Sequence, residues 1–182
     1  VNCIKHLQAI ATESEVDVDV YAMFERFQSQ VPVLAAIRPV GDQAIEAFEA
    51  AGGCHALLKQ LQPLLDTDVL TVTGRNLTDE LQGACVRDPN IIRPLTRPHA
   101  TRPAIVMLRG SMCPDTGIVK AGISERKSRR FSGPARCFET SDAAVAAIQG
   151  RTVNPGDVLV MRGAGPSGGP AMGGGASRVV FA

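Results

Sequence analysis

The chain has 182 residues, 45% hydrophobic and 20% charged, a balance ordinary for a soluble globular protein and wrong for a disordered one. Lys and Arg number 19 against 18 acidic residues, and a net charge of +1 argues against bulk nucleic-acid binding. No apolar run approaches the roughly 18 residues of a membrane span, so no membrane partner is expected.

That length holds one good-sized domain or two small ones and buries a core without staples. The five cysteines, Cys3, Cys54, Cys85, Cys113 and Cys137, are odd in number and contain no C-x-x-C pair, which indicates neither a disulfide framework nor a zinc site. With no signal peptide visible, the reducing cytoplasm is the simplest compartment.

In chain order, Ile4, Leu7 and Ile10 predict an amphipathic helix from residue 2 to about 13. Asp19 is placed to cap a second helix bearing Tyr21, Phe24 and Phe27. VPVLAAI, residues 31–37, is short, apolar and bounded by Arg38-Pro39, the pattern of a buried extended segment. Asp42 is expected to open a helix through Ile45 and Phe48 that Gly52 and Gly53 end. Another helix runs through Leu57, Leu58 and Leu61 to Pro63. In DVLTVTGRNLTDEL, Leu70 and Val72 lead to a turn at Thr73-Gly74, and Asn76 is a candidate cap for a short helix.

The character changes at VRDPNIIRPLTRP, residues 86–98, an extended linker with three prolines. AIVMLRG, GIVKAGI, ARCFE, DVLVMR and SRVVFA then read as strands of a β-rich domain. One helix interrupts them, DAAVAAIQ, capped by Ser141 and closed by Gly150, and the turn NPGD launches DVLVMR. The basic run ERKSRRFSG, with Arg126, Lys127, Arg129 and Arg130, reads as a solvated loop. Val1 at one end, and an apolar run stopping at Ala182 at the other, suggest a piece of a longer protein.

Residues 163–175, GAGPSGGPAMGGG, place Gly163, Gly165 and Gly168 in the G-x-G-x-x-G spacing of a dinucleotide loop. That fingerprint works by aiming a helix N-terminus at a pyrophosphate. Here Pro166 and Pro170 fall inside it, no helix-period segment is read after it, and no room remains for the ribose-binding acid about twenty residues on. A Walker lysine is also missing, which leaves a structural turn or a nest of N–H groups for an anion. Cys54-His55 follows a helix-breaking Gly-Gly and reads as capping or packing. Asn2 and His6 share a helix face.

Ten stretches in fixed order, NCIKHLQAIA, VPVLAAIRPVG, FEAAGG, DVLTVTGRNLTDEL, IIRPL, VMLRG, GIVK, FSGPARCFE, PGDVLVMRG and GPSGGPAM, resemble the dihydroxy-acid dehydratase and 6-phosphogluconate dehydratase family. The resemblance implies an α/β plus β fold. Residues 1–88 would be the mostly helical end of an α/β cluster-binding domain, and 89–182 the first part of a swivelling β-barrel of the aconitase C-terminal type. It also implies a hydro-lyase that takes water from a 2,3-dihydroxy carboxylic acid to give a 2-keto acid through its enol. The commonest member is the dihydroxy-acid dehydratase of branched-chain amino-acid synthesis, and a sugar-acid dehydratase acting on an aldonate or phosphogluconate is the alternative. A reading outside that chemistry is a non-catalytic barrel module that binds a partner or a small anion.

In such enzymes an iron–sulfur cluster acts as Lewis acid on the leaving hydroxyl, Mg²⁺ steadies the enolate, and a barrel serine is the candidate base. The resemblance places the cluster cysteines, the metal-binding acids and that serine outside these 182 residues. No catalytic residue and no metal ligand is therefore assigned here, and this chain alone is expected to be inactive. Substrate-binding candidates are Asn2, where Val1 replaces the usual hydroxyl residue, and Gly165, Pro166, Ser167, Gly168 and Gly169. Ala164 stands where the family often carries a magnesium-binding glutamate, and a methyl group cannot coordinate a hard cation. A homodimeric full-length protein is expected, with a small dihydroxy acid as substrate.

Overall fold

The computed structural model describes residues 2–38, 41–120, 130–163, 175–180 and 182. Leu7–Glu125, with Cys3, form one compact unit; Arg126–Ala182, with Asn2 and Ile4–His6, form the other. Among the described residues no helix is long and apolar enough to cross a membrane.

The first unit takes Cys3 and the part of α1 (Asn2–Glu13) from Leu7 onward, and then α2 (Val20–Phe27). Asp19 caps α2 as its sequence predicts, its Oδ1 accepting from the Ala22 amide at 2.9 Å. Gln8 of α1 ties the two helices together, accepting from the Val20 amide at 2.8 Å and donating to the Val18 carbonyl at 3.2 Å. The apolar segment 31–37 is extended and buried at Leu34 and Ala36, and it is paired on both edges. Val33 bridges Ala100 on one side, and Ala35 bridges Ile92 on the other. The extended linker expected over 86–98 is corrected: it turns at 89–91 and 95–96, with the Ile91 and Ile92 amides on the Asp88 carbonyl and the Arg97 amide on the Pro94 carbonyl, and it bonds to the core between those turns.

Two short helices follow, α3 (Ile45–Ala50) and α4 (Gly53–Leu61), then a 3₁₀ turn over Gln62–Leu64 that takes in Pro63. The expected start at Asp42 is corrected: α3 begins after Ala44, because Gln43 is still extended and bridges Ile37. Gly53 opens α4 rather than ending α3. The junction rests on Gly52, whose φ is 118° and where a Cβ would stand 2.5 Å from the Cys85 carbonyl oxygen. Phe48, Ala51, Ala56 and Ile92 form the buried cluster at the centre, with Ile37, Leu57 and Val86 packed against it.

Residues 67–78 form a hairpin closed by the amide of Leu77 on the Val69 carbonyl and that of Thr71 on the Arg75 carbonyl. It runs into α5 (Leu77–Glu80). Asn76 sits at the cap position of α5, but its side chain donates to Asp68 across the hairpin at 2.9 Å and caps nothing. After the linker, β1 (Ile105–Gly110) and β2 (Cys113–Lys120) make an antiparallel hairpin. It is held to α2 by Gln28 Oε1, which accepts from the Met107 amide at 2.7 Å, and by the Arg109–Glu25 ion pair at 3.0 Å.

The second unit contains β3 (Ala135–Phe138), α6 (Ser141–Gln149), β4 (Val158–Met161) and α7 (Gly175–Val180). β3 and β4 are parallel, and a parallel pair requires a crossover, which α6 supplies. The cap of α6 is Thr140, not Ser141: its Oγ1 accepts from the Ala143 amide at 3.1 Å. Asn154 to Asp157 form the expected turn into β4.

The strand expected from SRVVFA is overturned. Gly175–Val180 is helical, Val180 is exposed, and Arg178 reaches Asp142 of α6 at 2.7 Å. A helix closes its hydrogen bonds within the segment, whereas two valines in a strand need a neighbouring strand to receive them. The expectation that no helix follows the glycine motif is corrected by the same element.

Removing the Ile92 side chain from the centre of this packing is expected to destabilise the protein by about 2–5 kcal/mol in Ile92→Ala. In the 182-residue chain by itself, Leu70→Ala, at a site 73% exposed, should change stability by under about 0.5 kcal/mol. Urea unfolding of both variants checks the pair, and equal losses would contradict the placement of the core.

Candidate functional site

Gly165, Pro166, Ser167, Gly168 and Gly169, together with Ala164, lie outside the described residues. Of the loop's approach, Gly163 is described, with φ at 64° two residues beyond β4. Arg126, Lys127 and Arg129 of the basic run also lie outside. Asn2 is the first residue of α1, one turn before His6. The five cysteines are free thiols on separate elements, and among the described residues no three His, Cys, Asp or Glu side chains converge as metal ligands.

The densest polar constellation of the first unit is the hairpin 67–78 with α5. Thr73 Oγ1 donates to Glu80 Oε1 at 2.5 Å, and the Arg75 guanidinium stands 3.7 Å from the same oxygen. Arg75 also donates through Nη2 to the Asp79 carbonyl at 3.0 Å, and Thr71 Oγ1 donates to the Arg75 carbonyl at 2.9 Å. A hydroxyl on a carboxylate resembles a nucleophile with its base. Here the hydroxyl oxygen also faces the Arg75 amide at 3.4 Å, so the pair ties the turn. Gly74, with φ at 79°, is what lets the chain reverse within it.

An open cleft of about 620 Å³ is lined by Ile45, Glu46, Glu49, Ala50 and Arg87. The sequence reading did not identify it. Glu46 and Glu49 are three residues apart in a short helix, a spacing that puts them on one face, but Arg87 comes from the linker and no local pattern places it there. Glu49 is occupied structurally: a Cβ on Gly53 would lie 2.6 Å from its Oε2, so the carboxylate sits at the N-terminus of α4, where negative charge is favourable.

Besides the guanidinium groups of Arg109 and Arg162, which hydrogen bonds and then charge from Glu25 and Glu139 hold above the usual value, two groups carry shifted acidities. The Arg109 guanidinium, by hydrogen bond and then by charge, holds Glu25 below the usual carboxylate value. Burial is the first cause that lowers His99; the Nε2–H bond to the Ile91 carbonyl at 3.3 Å opposes it, and the charge of Arg93 adds to the lowering. The His99 backbone amide is bonded to Val33, so the imidazole stands where the linker meets the central segment. Neither group belongs to a constellation that holds a substrate.

Residues 1–80 match the N-terminal domain of the dihydroxy-acid/6-phosphogluconate dehydratases, and residues 90–176 match their C-terminal domain. The chain belongs to this dehydratase family. A relative from Ignicoccus hospitalis named dihydroxy-acid dehydratase is 38% identical over 173 residues, 94% of this chain and 31% of the relative. Relatives of the same name from Acetivibrio thermocellus and Moorella thermoacetica are each 37% identical, with the same 94% and 31% coverage. The chain thus spans about a third of the length of the dehydratases it matches. The family's change of domain falls between residues 80 and 90, whereas the first compact unit runs on to Glu125 because β1 and β2 pack with α2.

Neutral His99 is favoured in the fold, so its contribution to stability is present above the unfolded imidazole pKa of about 6.5 and is lost as pH falls through the lower folded value. The stability of the protein minus that of His99→Asn should decline between about pH 7 and pH 5. A flat difference in urea titrations across that range would contradict the burial of the ring.

Proposed function

We propose that this chain is part of a hydro-lyase that dehydrates a 2,3-dihydroxy carboxylic acid to a 2-keto acid, the dihydroxy-acid dehydratase of branched-chain amino-acid synthesis. The observation that carries the reading is the 38% identity over 173 residues to a protein of that name, together with matches to both domains of one family. A sugar-acid substrate is the second reading, favoured by the 6-phosphogluconate dehydratases in the family's own description.

Such a reaction must remove a poor leaving group at C3 and a weakly acidic proton at C2. The iron–sulfur cluster and Mg²⁺ proposed for the whole enzyme would supply Lewis acidity for the first and charge stabilisation for the second. The described residues do not fit either group, since no three acidic, thiol or imidazole side chains converge among them as metal ligands. Ala164 brings no oxygen donor where the family pattern has a glutamate. No step is therefore assigned to this chain's side chains.

Its proposed share is positional. The substrate-binding residues proposed are Gly165, Pro166, Ser167, Gly168 and Gly169, a run of small residues that would let substrate come close to backbone, and Asn2 at the start of α1. The fold proposed around it is the helical end of an α/β domain over residues 1–88 and the opening of a swivelling barrel over 89–182. The β1–β2 hairpin and the β3–α6–β4 unit support that reading as strand-forming pieces. A cytoplasmic homodimer completes the proposal.

The 182-residue chain alone is expected to give no 2-keto acid from 2,3-dihydroxyisovalerate after cluster reconstitution and addition of Mg²⁺. The polypeptide continued to the relatives' length should give it, and assay of that protein on branched-chain dihydroxy acids beside gluconate and 6-phosphogluconate decides the substrate. Turnover on neither class would overturn the reading.

A further inference from the structure

The 67–78 hairpin combines two properties that a free surface loop does not need together. Its tip is apolar and fully presented: Leu70 is 73% exposed and Val72 has no contact that shields it. Its frame is locked from both sides. Four backbone bonds close it, including the Thr78 amide on the Thr67 carbonyl and the Gly74 amide on the Thr71 carbonyl. The side-chain ties from Thr71, Thr73, Asn76 and Thr78 then fix the two arms and α5 to one another.

Ordering side chains costs conformational entropy, and here the ordered frame returns no burial of the aliphatic tip it carries. A pre-ordered frame lowers the cost of seating that tip in a recess. The surroundings give the recess a chemistry: between residues 65 and 82 there are four acidic residues, Asp66, Asp68, Asp79 and Glu80, against Arg75 alone.

We infer that the Leu70–Val72 tip is a docking knob, seated in an apolar socket rimmed by Lys or Arg that lies in the dehydratase polypeptide beyond these 182 residues. The inference rests on the dehydratase reading, because the chain spans 31% of the relatives' length and the socket is assigned to the remainder. Complementary charge around the rim orients the knob, and the aliphatic tip supplies the contact. The socket belongs to the same polypeptide, so its occupancy does not depend on protein concentration.

The test uses the continued, relative-length protein with Val72→Asp and Val72→Thr. At a tip exposed in the hairpin itself the neutral Val72→Thr leaves the frame undisturbed, so its loss reports the socket, whereas Val72→Asp also adds a fifth carboxylate to the four already there. Val72→Asp is expected to lower the thermal midpoint by at least about 2 °C at every concentration, and Val72→Thr by less. If Val72→Asp precipitates, Leu70→Thr with Val72→Thr gives the same reading through their summed shifts. A Val72→Asp midpoint equal to that of the unsubstituted protein would overturn the knob. So would a loss that appears only on dilution alongside a shift to a smaller sedimenting species, since the socket would then belong to a second copy. Turnover is measured separately on the unsubstituted protein. An active dehydratase indifferent to Val72→Asp sinks the knob alone, and an inactive protein that still responds sinks the reaction alone.

Discussion

The first unit depends on one constraint, the need of a buried backbone to have its hydrogen bonds met. The 31–37 segment lies at the centre of the helices without belonging to a sheet, so its amides and carbonyls must find partners in chain far away in sequence. They find them in the linker. The Arg93 amide donates to the Leu34 carbonyl at 2.8 Å, the Val33 amide donates to Ala100 at 2.9 Å, and the His99 amide returns a bond to Val33 at 2.8 Å. These bonds draw Ile92 into the apolar cluster with Phe48 and Ala56, and through it they fix where α3 and α4 sit. Residues that match the start of the family's C-terminal domain thus belong to the core of the first unit.

Elements governed by local rules were legible in the sequence. Asp19 before an apolar helical stripe predicted α2 and its cap, because an Asx side chain three residues from a free amide has one good use. Two of the misread boundaries involve competition from a partner outside the window. Gln43 would have been helical but bridges Ile37, and Asn76 would have capped α5 but bonds Asp68. Thr140 and Ser141 are adjacent residues of nearly equal capping power, and backbone geometry chose between them: Thr140 is extended and its neighbour helical. For the last segment, β-branched Val179 and Val180 favour a strand only where another strand receives their bonds.

The family was legible in the sequence as a pattern of motifs and not as geometry. The motifs that carry the resemblance are short, and each alone has a structural explanation; DVLTVTGRN is a hydrogen-bonded hairpin before it is anything else. Collinearity is what distinguishes them, and physical chemistry has no access to collinearity within a single chain. Conversely, the cleft between Glu46, Glu49 and Arg87 had no sequence signal, since it joins a helix face to a linker residue nearly forty positions away.

The β1–β2 hairpin shows how the first unit limits what can be added to it. In an antiparallel pair, alternate residues direct their amides outward, toward the next strand. At Met107 that outward position is taken, because Gln28 Oε1 accepts the amide at 2.7 Å while Arg109, two residues on, is held by Glu25 and by the Asp115 carbonyl. Helix α2 therefore occupies the edge of β1 as a strand would, and a strand pairing there would have to break the Gln28 bond and leave its amide oxygen to find another donor. Any strand that adds to this hairpin therefore does so at β2, because the edge of β1 at Met107 is already bonded.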